Sequence, residues 1–67
     1  MPVADQVRMA NDIARQFAHL EHDKAVSEIA VHIASFWEPR MTAQLRQAVA
    51  EGAEGLDPLV IEAVARL

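Results

Sequence analysis

The sequence predicts an all-α protein, a compact bundle of three to four short helices. Apolar residues recur at helical spacing along most of its 67 residues, as expected of amphipathic helices. No segment alternates between apolar and polar residues in the way that a half-buried strand does. Proline and glycine residues fall between the helical stretches, where helices begin and end. These observations together predict a single helical domain across residues 1–67.

Two amphipathic helices are predicted in the first half of the chain, at about residues 4–20 and 24–37. In each of them the apolar residues cover about half of the helix circumference. The break between the helices falls near His22, and Asp23 is expected to cap the start of the second helix. The apolar arcs include Val7, Ala10, Ile13, Phe17, Val26, Ile29 and Ile33.

Two shorter helices are predicted in the second half, at about residues 39–51 and 58–67. Pro39 cannot continue a helix from the residues before it, but it fits the first turn of a new helix. Gly52 supplies a residue that can adopt the left-handed conformation and end the third helix. Asp57 is followed by a proline, and this pair is typical of a helix start with the aspartate as N-cap.

The composition excludes several kinds of site. The chain has no cysteine, so it cannot hold an iron–sulfur cluster, a cysteine-based zinc site or a redox pair. Ten acidic and six basic residues give a net charge of −4, with no run of lysine or arginine. Nucleic-acid binding needs a clustered basic face and is therefore not expected. No apolar stretch could span a membrane, and the first five residues lack signal-peptide features, so we expect a cytoplasmic protein.

Catalytic machinery is not expected either. The hydroxyl residues Ser27, Ser35 and Thr42 do not lie in a nucleophile motif. His19 and His22 lie beside carboxylates and could form a metal or ligand site, although their spacing is not that of a known zinc-binding helix. A small metal-binding or ligand-binding protein that uses these histidines is one alternative.

The apolar arcs are wider than one small core needs. A helix with one buried face requires an arc of about 100°, whereas the first two helices carry about 180° and the short fourth helix carries more. A contiguous apolar surface on a small protein usually marks a protein interface. The sequence therefore predicts a protein-binding subunit. The alternatives are a self-associating module and a tight core that uses every apolar residue.

The segment from Phe36 to Met41 has the densest group of residue types favoured at interfaces. Tryptophan, arginine, phenylalanine and methionine are all enriched there, and Trp37 and Arg40 lie on either side of Pro39. The segment is predicted to be the main anchor for a partner. A core position at a helix corner is the alternative for Trp37.

Three blocks of residues form an ordered pattern along the chain. Val7–Asn11 is followed by Ile13 and Ala14. His32 and Ile33 then lead to Phe36–Met41, and Gly55–Val60 comes last. Together these blocks resemble the delta subunit of soluble NAD-dependent formate dehydrogenases that contain molybdenum or tungsten. The resemblance covers nearly the whole chain, with a conservative departure at the glutamate before Pro39, where aspartate is more frequent.

The resemblance implies an accessory subunit of a cytoplasmic complex that oxidises formate with NAD. The other chains of such a complex carry the pterin-bound metal, the iron–sulfur clusters and the flavin, so no cofactor is expected in this chain. The implied role is in assembly, cofactor maturation or stability, with the catalytic subunit as partner and a homo-oligomer as an option in isolation. No catalytic residue is implied. The candidate interface residues are Arg8, Met9, Asn11, Phe36, Trp37, Pro39, Arg40, Met41, Leu59 and Val60.

Overall fold

Four α-helices make up most of the structure. The computed structural model describes residues 3–67, with side chains from residue 5 onward. This part of the chain contains no strand, and the predicted all-α bundle is confirmed. In chain order the helices are α1 (Val3–Phe17), α2 (His22–Phe36), α3 (Pro39–Ala50) and α4 (Pro58–Ala65).

The junction between α1 and α2 differs from the prediction. The N–H of Leu20 donates to the carbonyl oxygen of Phe17 at 3.0 Å, which closes a tighter turn, so α1 ends at Phe17 and not at Leu20. The N-cap of α2 is Glu21, whose side chain makes no capping hydrogen bond. The predicted cap at Asp23 is wrong, because this residue lies inside the first turn. Its negative charge there still favours the helix, since the N-terminal end of the dipole is positive.

The end of α3 lies just before Gly52, the glycine at which the sequence predicts that this helix stops. Gly52 has a φ of 71°, a left-handed conformation that a residue with a side chain adopts at a cost. Its N–H donates to the Val49 carbonyl at 3.1 Å, and the N–H of Ala53 donates to the Ala48 carbonyl at 2.9 Å. This pair of hydrogen bonds defines a Schellman motif. The chain thus leaves α3 in a fixed direction toward α4.

The start of α4 is capped as predicted. The Asp57 carboxylate accepts a hydrogen bond from the N–H of Leu59 at 2.9 Å, and Pro58 occupies the first helical position. Both features stabilise a helix start, because one satisfies a free backbone donor and the other removes one. A helix of eight residues is too short to persist alone in water, so α4 depends on its cap and on packing.

The most extensive packing is that of α2 against α4, followed by that of α1 against both α3 and α2. In addition, α1 and α4 each contact all three other helices, whereas α2 and α3 have little contact with each other. The Cα radius of gyration is 10.6 Å, close to the value of about 11 Å expected of a compact chain of this length.

One core cluster joins the four helices. Its largest fully buried side chains come from α2, α3 and α4, and α1 adds Ile13 and two alanines. Half-buried apolar residues, among them Trp37, Leu59 and Leu67, pack around this cluster. Among the residues described, none of the helices has both the length and the apolar character needed to cross a bilayer. The core cluster consists of Ala10, Ile13, Ala14, Val26, Ile29, Ala30, Ile33, Leu45, Val60, Ala63 and Val64.

Most of the wide apolar arc of α4 is inside the protein. Val60, Ala63 and Val64 are buried, and Leu59 is half-buried against the core. Because α4 packs against three helices, about half of its circumference is covered, while Ile61, Glu62 and Ala65 on the other side are exposed. The exposed apolar surface predicted at α4 is thus reduced to Ile61, which is 44% exposed.

The side chain of Asn11 connects α1 to the linker before α4. Its Nδ2 donates to the carbonyl oxygen of Gly55 at 2.6 Å, and its Oδ1 accepts from the N–H of Asp57 at 2.9 Å. The two bonds hold both ends of a three-residue stretch that ends in the N-cap of α4. Asn11 therefore fixes the position from which α4 enters the core.

Replacing Asn11 with alanine is expected to lower the free energy of unfolding by about 2 kcal/mol, because two hydrogen bonds of about 1 kcal/mol each are lost. Urea unfolding followed by circular dichroism would measure the change. Gln16→Ala is the matched control, since Gln16 is an exposed amide side chain on the same helix and its loss should change stability by less than about 0.5 kcal/mol. Equal effects of the two variants would contradict the proposed tether.

Candidate interaction surfaces

The predicted anchor segment lies at the corner between α2 and α3. Phe36 is 75% exposed, and Pro39 and Arg40 are exposed as well. Trp37 and Met41 are half-buried, and Trp37 packs against the core. The structure therefore does not gather this segment into one surface. Its side chains contribute to three different ones.

The first surface is a row of rings that ends at Phe36. The rings of Phe17 and His32 have centroids 6.5 Å apart in an edge-to-face arrangement, and those of His32 and Phe36 are 4.9 Å apart. Phe17 is half-buried against the core, whereas Phe36 projects from the last residue of α2 into solvent. The row thus extends from the interior to the surface of the protein. We call it the aromatic row.

The second surface is a shallow groove of about 300 Å³ beside Trp37. It lies where the end of α2, the start of α3 and the last residue of the chain meet. Trp37 packs against the core and also lines this groove, so the core position considered for it is found, while its role as an anchor stays a prediction. The groove is lined by Ala34, Trp37, Pro39, Thr42, Arg46 and Leu67.

The third surface is a groove between α1 and α3, with a volume of about 680 Å³. It brings together four predicted interface residues that are far apart in sequence, Arg8 and Met9 with Arg40 and Met41. Arg8 forms an ion pair with Asp5 at 3.2 Å. Within the described part of the chain, Arg40 has no acidic partner. This α1–α3 groove is lined by Asp5, Gln6, Arg8, Met9, Arg40, Met41 and Gln44.

A buried amide that the sequence analysis did not single out forms part of this groove. Gln6 is only 4% exposed, and its Nε2 donates to Oε1 of Gln44 at 2.7 Å. The Oε1 atom of Gln6 is buried without a hydrogen-bond partner among the described residues. Leaving a buried acceptor unpaired costs about 1–3 kcal/mol. The signal in the sequence was the position of Gln6 on the apolar arc of α1, four residues before Ala10.

The remaining candidates, Asn11, Leu59 and Val60, are partly or fully buried. Val60 is fully buried, so in this structure it belongs to the core and is not available to a partner. Leu59 is half-buried, and the amide of Asn11 is bound to the linker before α4. Two large apolar residues outside the candidate interface residues are also exposed: Val31 on α2, which is 60% exposed, and Ile61 on α4. Each lies outside the predicted anchor segment.

The two histidines of the metal-site alternative are placed apart from any cluster of ligands. Nε2 of His22 lies 2.5 Å from Oε2 of Glu62, which connects the first turn of α2 to α4. His19 is exposed in the turn after α1. Among the residues described, no group of three or more histidine, aspartate or glutamate side chains is arranged to hold a metal ion.

Replacing Gln6 with leucine is expected to raise the free energy of unfolding by about 1 kcal/mol, because the variant removes a buried unpaired acceptor at similar volume. Gln44 is half-buried and can bind water in its place. Chemical denaturation would measure the change, with Gln16→Leu as an exposed control on the same helix. A loss of stability in Gln6→Leu would mean that the amide has a full set of partners.

Comparison with known proteins assigns the family. The family model of the NADH-dependent formate dehydrogenase delta subunit, FdsD, matches residues 6–64, which include all four helices in whole or in large part. Comparison with curated proteins and with solved structures finds no match. The matched range contains the aromatic row, the Asn11 tether and nearly all of the α1–α3 groove. The chain belongs to the FdsD family of formate dehydrogenase delta subunits.

Proposed function

We propose that this chain is a non-catalytic accessory subunit of a cytoplasmic, NAD-dependent formate dehydrogenase complex. It binds the catalytic subunit and acts in assembly, cofactor maturation or stability of the complex. In this proposal the pterin-bound metal, the iron–sulfur clusters and the flavin belong to the other subunits. Membership of the delta subunit family supports a place in such a complex.

The observation that carries the docking proposal is the exposure of Phe36. Three-quarters of this side chain is open to solvent at a helix corner, beside the exposed Pro39 and Arg40. Complete burial of such a side chain is worth about 1.5–3 kcal/mol, and aromatic and arginine side chains often dominate interface energies. A partner that covers this corner would recover that energy. The predicted anchor is thus narrowed to Phe36, because Trp37 is half-buried against the core.

The small size of the chain supports a role that depends on binding. A domain of 67 residues without a disulfide has a core that supplies only about 3–5 kcal/mol of stability. A partner that binds only the folded chain adds to this stability, by about 2.7 kcal/mol when its concentration is a hundred times the dissociation constant. The subunit would therefore be most stable inside the complex.

Phe36→Ala tests the docking proposal. The variant is expected to bind the catalytic subunit at least tenfold more weakly, about 1.4 kcal/mol, while its own stability changes by less than about 0.5 kcal/mol because the residue is exposed. The measurements are co-purification of the co-expressed subunits, a titration with the purified catalytic subunit, and thermal unfolding of the isolated chain.

Val31→Ala is the matched control, because Val31 is an exposed apolar residue on the same helix and should leave binding unchanged. If Phe36→Ala assembles as well as the wild-type chain, the corner is not the anchor. If the wild-type chain does not bind the catalytic subunit at all, the accessory role is wrong. Sedimentation of the isolated variants covers the alternative of self-association: a dimer dissociated by Phe36→Ala would assign the corner to a second copy.

A further inference from the structure

We propose that the α1–α3 groove binds an acidic segment of the partner subunit, one that presents a carboxylate beside an apolar side chain. The inference rests on the proposed function, because it names the chemistry of the surface that the accessory subunit recognises. It concerns a surface that shares no residue with the aromatic row, and it rests on the charge of the groove, whereas the docking proposal rests on the exposure of Phe36.

The charge of the groove is opposite to the charge of the whole protein. Its lining contains two guanidinium groups and one carboxylate, whereas the net charge of the chain is −4. Arg8 forms an ion pair with Asp5, whereas Arg40 is exposed and has no acidic partner in the described part of the chain. The groove therefore has one guanidinium group free to bind a carboxylate from another molecule.

The surroundings of Arg40 increase the benefit of such a carboxylate. Arg40 lies in the first turn of α3, where the helix dipole is positive and a cation is unfavourable. No acidic residue occurs between Pro39 and Ala50, and the N-cap residue Glu38 makes no side-chain hydrogen bond to the helix end. An external carboxylate placed here would interact favourably with both the guanidinium group and the helix end.

Two methionine side chains give the groove an apolar part. Met9 is 41% exposed, and Met41 is half-buried. Flexible thioether side chains adapt to different apolar partners and are common at binding surfaces. A volume of about 680 Å³ lies within the range of about 300–1,000 Å³ typical of ligand pockets, so several side chains of a protein segment would fit.

These properties favour a protein segment over a nucleic acid. Binding to a phosphate backbone requires several clustered cations, but this groove offers one unpaired guanidinium group in an acidic protein. The apolar methionine side chains would also make no favourable contact with phosphate groups. A glutamate or aspartate next to a leucine, isoleucine or phenylalanine matches both parts of the groove.

The test is charge reversal at Arg40, compared with charge reversal at Lys24. Both residues are exposed and both substitutions change the net charge equally, but only Arg40 lines the α1–α3 groove, and Lys24 lines neither groove. The dissociation constant and association rate with the purified catalytic subunit are measured at low and high salt. Arg40→Glu is expected to weaken binding at least tenfold and to remove most of its salt dependence. Arg40→Gln should have an intermediate effect, and Lys24→Glu should stay within about twofold of wild type.

Four results would overturn the inference. Equal losses in Arg40→Glu and Lys24→Glu would assign the effect to overall charge. Normal binding by Arg40→Glu, together with loss of binding by Phe36→Ala, would exclude the groove and leave the proposed function in place. Salt-dependent binding of the wild-type chain to single-stranded RNA or DNA, lost in Arg40→Glu, would assign the groove to nucleic acid. If the wild-type chain does not bind the catalytic subunit, the inference fails together with the proposed function.

Discussion

The position of α4 depends on two hydrogen bonds that the side-chain amide of Asn11 makes, one as donor and one as acceptor. The packing of the other core residues depends in turn on α4. Asn11 binds both ends of the stretch that leads into this helix, and Asp57 then caps its first turn. A helix of eight residues gains little from its own hydrogen bonds. It nevertheless supplies Val60 and two other buried side chains to a core that all four helices share. Local capping and linker geometry thus set the packing of the whole chain.

The parts of the fold that the sequence predicted well are those fixed by single residues. Pro39, Gly52 and Asp57 each restrict the backbone or satisfy its donors in a way that depends on only a few neighbours, and the structure uses all three as expected. The turn between α1 and α2 contains no proline or glycine. Its bounds depend on how the two helices pack, and the cap predicted at Asp23 was therefore wrong.

The wide apolar arcs of α1 and α4 do not by themselves require an exposed apolar surface. An arc of about 100° is enough for a helix that faces one core surface, whereas α1 and α4 each contact three helices. A wide apolar arc can then be buried almost completely. Val60, which belongs to the arc of α4, is fully buried. The grooves could not be predicted for a related reason. Arg8 and Arg40 line the same groove only because α1 packs against α3. The spacing of residues within one helix does not specify which helices become neighbours.

The order of the elements along the chain has a consequence for biosynthesis. The core residues of α1, α2 and α3 lack their partners until Val60 and Val64 have been added, because α4 is the last helix and packs against the other three. A nascent chain on the ribosome that ends before α4 would therefore expose apolar surface and remain only partly folded. Folding of this subunit cannot be completed gradually during translation; it must wait until the segment containing α4 has left the exit tunnel.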